Sequence, residues 1–341
     1  MVNIEWDKLG FDVVPTKSMF KAICSEGGNW ERGSIIPYGN IELSPAANVL
    51  NYGQGAFEGV KAFRTKKENI VLFRIDKNAA RMAFSTRRLC IPEMDKDFFI
   101  NAVMKTVKDN IDYIPPYGQG SLYIRPVIWG TSAGIGVSPA SEYTFMVFVS
   151  PVGPYFKKGI RPLNLKITNQ YHRAAPKGIG NIKAIGNYSA SLYPLAEAKS
   201  EGYDEVIYLD AADEKRVEEV GSANLFIYKD GVIKTPKLSG SILGGVTRDS
   251  VCIVASNILG IPVEETDIYI DDLASSDEIF CTGTAVVVSP VGKIKFGEDI
   301  FQINQNQMGP ITKKIRETIL AIQREELDDS FGWLFKLENN N

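Results

Sequence analysis

The sequence predicts an α+β protein of two domains, and three observations carry this reading. The chain has 341 residues, more than one hydrophobic core normally organises. Helical and strand-like segments follow one another in mixed order, without the regular β-α-β alternation of a doubly wound parallel sheet. A Gly/Pro-rich stretch near the middle, PVGPYFKKGIRP, reads as a connection between two folded parts. The expected division is an N-terminal domain over 1–156, a linker over 157–170 and a C-terminal domain over 171–341.

In chain order, Asp76 can cap a helix through DKNAARMAFSTRRLC, which stops before Pro92. Asp95 can cap DKDFFINAVMKTVKDNI, which stops before Pro115-Pro116. Two strand-like runs follow, SLYIRPVIWG and EYTFMVFVSPV. In the first run Tyr123 and Arg125 share one face while Leu122 and Ile124 share the other, and Pro126 favours extended backbone at Arg125. Beyond the linker, Leu163–Thr168 reads as a strand, and Asn187 can cap a helix through SASLYPLAEAKSEG. Strand EVIYLD comes next, then a hairpin NLFIYKDGVIKTP turning at Asp230-Gly231. One helix is expected from near Thr247 to Gly260 and another from Pro310 to Glu325. There is no internal repeat and no low-complexity tract, and ENNN reads as a polar end.

A net charge of −3 gives no basic footprint, which argues against nucleic acid or an anionic membrane surface as partner. No apolar run approaches the length of a membrane span. The opening residues show neither a secretory core nor an Arg-rich transit pattern. Cysteines 24, 90, 252 and 281 are scattered without a CxxC pair, which fits free thiols in a reducing cytoplasm. A cytoplasmic location is the expectation. The single histidine, His172, excludes metal sites built on several histidines, and no metal is expected. Proton transfers would rest on Lys, Tyr, Asp or Glu.

Several short stretches carry residues suited to chemistry. In GNIKAIGNY, Lys183 stands between apolar neighbours with glycines on either side, and Tyr188 follows five residues on. A desolvated lysine is a nucleophile toward an aldehyde; a surface lysine in a glycine loop is the alternative, and the stretch alone leaves both open. In EEVGSANLF, Glu219 directly precedes Val-Gly and an apolar strand, which suits a strand-end carboxylate as well as a functional one. SGSILGGVTR runs a Gly-Gly turn into a helix, whose unpaired N–H groups suit an anion. It is no P-loop, and no GxGxxG lies between a strand and a helix, so a dinucleotide site is unsupported. CTGTA is a small-residue turn that lets a ligand approach the backbone. Tyr123 and Arg125 side by side can receive a carboxylate, or the arginine can simply reach solvent.

Together and in this order, these pieces resemble the branched-chain amino acid aminotransferases, which are pyridoxal-phosphate enzymes of fold type IV. The likeness runs from NYGQGAFEGVKAFR through LFRIDKNAARM, LYIRPV, GNIKAIGNY and EEVGSANLF to ILGGVTRDS and CTGTAVVVSPVG. It implies a smaller N-terminal and a larger C-terminal, cofactor-binding domain. Lys183 would hold pyridoxal 5′-phosphate as a Schiff base, Tyr188 would meet its phenolic oxygen and Glu219 its pyridine nitrogen. Arg81, Val246, Thr247 and Thr284 would bind the phosphate, with Arg173 near it and Ser222 standing where some relatives have threonine. Tyr52, Phe57, Tyr123, Arg125 and Tyr155 would line the substrate side, and the Thr284–Ala285 turn would offer N–H groups to the α-carboxylate. The activity implied is reversible, ping-pong transfer of the amino group of L-leucine, L-isoleucine or L-valine to 2-oxoglutarate, in a homodimer. Some relatives carry a redox-active CxxC after the GTA turn; here those positions are Val286 and Ser289. A D-amino acid aminotransferase, an aminodeoxychorismate lyase and a non-catalytic binding protein are the rival readings.

Overall fold

The structure is a computed structural model that describes residues 4–25, 27–153 and 160–338. It divides into two compact units. The first holds residues 1–157, 182–186 and 321–341; the second holds 158–181 and 187–320.

Among the described residues, the first unit is built on an eight-stranded antiparallel sheet. Its centre is Ser121–Gly130, flanked by Val60–Arg64 and Tyr143–Val152, with Gly55–Phe57 pairing to its far end. The strand alternates as its sequence predicts. Leu122 and Ile124 are fully buried while Tyr123 and Arg125 on the other face are half-buried. Helices Ile75–Arg88 and Lys96–Asp109 contribute Ala79, Met82, Phe99 and Val103 to a core shared with Phe20, Leu122 and Phe145.

Asp95 caps its helix as expected, accepting from the N–H groups of Asp97 and Phe98 at 2.8 and 3.1 Å. Asp76 does not cap. Its helix starts two residues earlier than a cap there would give, after Arg74 in the left-handed region (φ +53°). Arg74 donates its N–H to the Trp333 carbonyl at 2.8 Å and lays its guanidinium over the Trp333 ring. That long-range partner fixes the helix start, and Asp76 is left in the first turn, where an acid still complements the helix dipole.

The second unit, among its described residues, carries a nine-stranded mixed sheet. Leu163–Thr168 lies between Glu205–Leu209 and Val287–Phe296, parallel to both. Part of the expected linker is therefore sheet: Leu165 and Ile167 alternate into the core and hold the segment there. The hairpin at Asp230-Gly231 forms with both residues at positive φ, +50° and +82°, as a two-residue turn of this kind requires.

Asn187 is not an N-cap. It sits inside the short helix Ile185–Ser189 and donates its side-chain amide to the Ile179 carbonyl at 2.8 Å. The next helix, Leu192–Ser200, is a separate element because Pro194 is tolerated only in a first turn. Helix Val246–Ile253 widens into a π-helical turn over Val254–Ile258, and Gly260 (φ +65°) ends the segment.

Two stretches return to the first unit. Ala184 bridges antiparallel to Ala56, and Phe57 donates its N–H to the Lys183 carbonyl at 3.2 Å. Strand Leu334–Lys336 pairs with Ile70–Phe73. With these returns the first unit is the longer of the two by residue count. Among the described residues, no helix is long and apolar enough to cross a membrane.

Candidate active site

Strand-like pairing decides how Lys183 is presented. Ile182 and Ala184 turn into the core, and the alternation puts Lys183 on the opposite side, half-buried. Its backbone N–H donates to Ser85 Oγ at 3.1 Å. Its amine Nζ lies 4.6 Å from the centre of the Phe57 ring. The Arg125 guanidinium lies 4.7 Å from the same ring and donates to the Tyr123 hydroxyl at 3.0 Å. The first unit thus brings together four of the predicted residues, Lys183, Phe57, Tyr123 and Arg125. Arg125 is no edge-strand residue, since its strand is central. The Tyr123 hydroxyl rests where a side chain at residue 59 would be, so a larger residue at Gly59 would have to displace it.

Behind the lysine lies a charge that the sequence reading did not single out. Glu58 is fully buried and accepts from Arg81 Nε at 2.8 Å, Arg81 Nη2 at 2.7 Å and Asn78 Nδ2 at 2.7 Å. Burial alone would raise its pKa. The Arg81 guanidinium, followed by the positive charge of Lys183 and the Asn78 hydrogen bond, outweighs burial and holds the carboxyl below the usual range. Arg81, expected to meet a phosphate, is thereby fixed in a two-point ion pair with Glu58. The clue was in FEGVKAFR: an acid between apolar residues invites the same question as Lys183.

In the second unit the strand Val217–Val220 buries two carboxylates in succession, Glu218 and Glu219. Glu219 forms an ion pair with Arg173 and accepts from the Leu243 N–H at 3.2 Å and Asn224 Nδ2 at 3.5 Å. Arg173 also donates to the carbonyls of Ser241 (2.6 Å) and Gly180 (3.1 Å). Its expected place near a phosphate is not what these bonds describe; it braces the carboxylate. Glu218 is bonded to Ser241 Oγ and its other oxygen, Oε2, is buried without a hydrogen bond. Burial pushes its pKa up, against the Ser241 hydrogen bond.

The Gly-Gly helix start adjoins Glu219 through Asn224, which donates to the Leu243 carbonyl at 2.9 Å. A Cβ on Gly245 would lie 2.1 Å from Asn224 Oδ1, so this glycine is required by close approach. Val246 and Thr247 open the helix after Gly245, and no side chain caps it. Its first N–H groups therefore suit an anion.

Thr284 and Ala285 lie in the tight turn between Glu278–Gly283 and Val287–Phe296. Val287, the first residue after it, has φ +62°, a strained setting for a β-branched residue that costs roughly 1–3 kcal/mol. Tyr188 is half-buried in the short helix after Lys183. Tyr52 ends helix Asn48–Tyr52, is largely exposed and bonds its hydroxyl to the Ile135 carbonyl. Ser222 is exposed in the turn before Asn224–Lys229. Tyr155 lies outside the described residues.

Residues 55–294 match the family described as Amino-transferase class IV. "Branched-chain-amino-acid aminotransferase 5, chloroplastic" of Arabidopsis thaliana is 46% identical over 337 residues, covering 99% of this chain and 81% of that protein. The chain belongs to the class IV aminotransferases. A second relative, "Branched-chain amino acid aminotransferase 2, chloroplastic" of Humulus lupulus, is 45% identical and also spans 99% of this chain and 82% of its own length. Among solved structures, the branched-chain amino acid aminotransferase of Escherichia coli superposes with a TM-score of 0.82 at 28% identity, covering 95% of this chain and 100% of that one. The branched-chain aminotransferase of the archaeon Thermoproteus uzoniensis, solved with norvaline, gives 0.80 at 30% identity over 94% and 100%.

Class IV aminotransferases depend on pyridoxal 5′-phosphate. The donor set of this chain fits that cofactor: an amine on Lys183, a buried and oriented carboxylate on Glu219, and an uncapped helix start at Val246–Thr247. One expectation is overturned. A cytoplasmic location conflicts with the compartments named for the relatives, chloroplastic for those two and mitochondrial for another from Humulus lupulus. Free thiols fit several compartments and do not by themselves distinguish cytosol from organelle.

Proposed function

We propose that this class IV aminotransferase transfers the amino group of L-leucine, L-isoleucine or L-valine to 2-oxoglutarate, reversibly and by a ping-pong course. The observation that carries the reading is the grouping around Phe57, whose ring is faced by the Lys183 amine at 4.6 Å and the Arg125 guanidinium at 4.7 Å. The ring suits a branched aliphatic side chain, and a single guanidinium beside a tyrosine hydroxyl suits the distal carboxylate of 2-oxoglutarate or glutamate. Both amino donors and acceptors are then served by the same side chains. The names of the Arabidopsis, Humulus and Escherichia coli relatives support this substrate class.

When bound, pyridoxal phosphate supplies an aldehyde that captures amines and a ring that draws electrons from the carbon beside the captured nitrogen. Lys183 Nζ is its anchor. With the cofactor bound, the Lys183 amine would be the group placed to hold and move the substrate α-proton, so one amine would serve as both base and acid. Glu219, oriented by Arg173, Asn224 and the Leu243 N–H, would accept the hydrogen bond of the ring nitrogen. Tyr188 would meet the phenolic oxygen. Arg81, held in one orientation by Glu58, is proposed for the phosphate, as are Thr284 and the Val246 and Thr247 N–H groups of the second unit. The Thr284–Ala285 turn would donate to the α-carboxylate, and Tyr52 is proposed for the substrate side. His172 takes no part.

The test is a transamination assay with L-leucine, D-alanine and L-methionine against 2-oxoglutarate. Glutamate should form from L-leucine and not from D-alanine, and Lys183→Ala should form none. Methionine is included because one relative, 39% identical, is "Methionine aminotransferase BCAT4" of Arabidopsis thaliana. An apolar pocket separates such side chains by only about 1–3 kcal/mol. A higher kcat/KM for methionine than for leucine would move the assignment to that substrate. We further propose a homodimer, tested by a solution mass of twice 37.7 kDa, and an organellar setting, supported by the compartments of the relatives.

A further inference from the structure

We infer that Arg316 is a positioning residue for the substrate-carboxylate turn. The inference deepens the proposal above and rests on its reading that the Thr284–Ala285 turn meets the α-carboxylate. Arg316 lies on helix Pro310–Gln323 and directs Nη1 at two backbone carbonyls, Val286 at 2.8 Å and Val288 at 2.6 Å. Those carbonyls bracket Val287, whose φ of +62° is a setting in which a β-branched residue is strained. A turn that must present N–H groups at a fixed angle is here closed by a residue that resists the required conformation. Two charge-assisted hydrogen bonds from one guanidinium nitrogen supply the restraint.

The helix that carries Arg316 is itself tied to the same hairpin at its other end. Glu278, at the start of Glu278–Gly283, accepts from the N–H groups of Ile311 (3.0 Å) and Thr312 (2.8 Å) and from Thr312 Oγ1 (2.6 Å). Gly309 allows this approach, since a Cβ there would lie 1.9 Å from the Glu278 carboxyl carbon. Ile315 and Ile319 are fully buried beside Arg316. The hairpin thus caps the helix, and the helix braces the tip of the hairpin. Glycine at residue 287 would adopt the same φ without a brace; the chain has valine and an arginine instead.

The experiment uses the holoenzyme and 4-methylvaleric acid, which has the leucine skeleton and carboxylate without the amine. Its dissociation constant is measured by calorimetry, and hydrogen exchange is followed in the peptide spanning residues 281–288, with cofactor content read from absorbance. In the wild-type chain the acid should slow exchange in that peptide; no slowing would remove the turn from the carboxylate and overturn the underlying reading. Arg316→Met should bind the acid about threefold to tenfold more weakly at equal cofactor content, with faster exchange in the free turn. The double variant Arg316→Met/Val287→Gly should recover most of that affinity, a rescue that a general packing role of Arg316 would not produce. If the wild-type turn is protected while Arg316→Met binds the acid and exchanges like wild type, the inference is wrong. Should Arg316→Met fail to fold, Arg316→Lys carries the test. Its ammonium cannot reproduce the guanidinium geometry, so weaker binding with a faster-exchanging turn is expected, and wild-type values would overturn the inference.

Discussion

Glu58 and Glu219 are buried carboxylates, and each makes a prediction of its own. The Glu58 carboxyl is held below its usual pKa, burial opposing and Arg81 prevailing. A folded value below the unfolded one contributes stability that is complete above about pH 4.3 and is lost as pH falls through the folded value. Glu58→Gln should therefore flatten the fall in stability on the acid side of about pH 4.3. At neutral pH it should cost about 3 kcal/mol, because the partly buried Arg81 loses the carboxylate that both its Nε and Nη2 bond. Urea melts between pH 3 and 7 measure both, and a wild-type slope in the variant would contradict the assignment. Glu219→Gln should retain cofactor while transamination falls by one to several orders of magnitude; unchanged turnover would remove Glu219 from its role. Lys183 stood out as the one charged residue in GNIKAIGNY, whereas Glu219, beside the equally buried Glu218, gained its role only from the family resemblance. Arg316 was not legible, because its partners Val286 and Val288 belong to another element and only tertiary structure pairs them.

Among the elements, helix Lys96–Asp109 and the hairpin at Asp230-Gly231 follow from local chemistry, a capping carboxylate and two residues that tolerate positive φ. Asp95→Ala should cost about 1 kcal/mol of stability and leave the KM for leucine unaltered. Gly245→Ala should do the reverse of that neutral change. Its Cβ would collide with Asn224 Oδ1, displacing the amide that links the helix start to Glu219. Weaker cofactor retention, measured by equilibrium dialysis against free pyridoxal phosphate, is the expected outcome; wild-type retention would show that the start of this helix does not bear on the cofactor. Two helix starts were misread from local signals. Asp76 lost the cap position to Arg74 and its Trp333 contact, and Pro194 divided what a cap at Asn187 would have made continuous.

Across the whole molecule, the mixed order of helices and strands identified the class and the middle Gly/Pro stretch the existence of two parts. The crossings were not legible, because the return of residues 182–186 and 321–341 depends on what they pair with rather than on their composition. Trp333 packs on Phe73 and Arg74, and Leu334–Lys336 covers the edge of Ile70–Phe73. Removing residues 327–341 should bare that edge and lower the temperature at which light scattering rises on heating. Compartment was not legible either, since free thiols fit several reducing locations. The account as a whole is tested most directly by a single half-reaction followed in the visible spectrum. The purified holoenzyme is given L-leucine with no acceptor. The account predicts loss of the aldehyde-form absorbance, release of one equivalent of branched 2-oxo acid per cofactor, and recovery of the band on adding 2-oxoglutarate, none of it in Lys183→Ala. A spectrum that stays unchanged with L-leucine, or that responds to D-alanine alone, would contradict it.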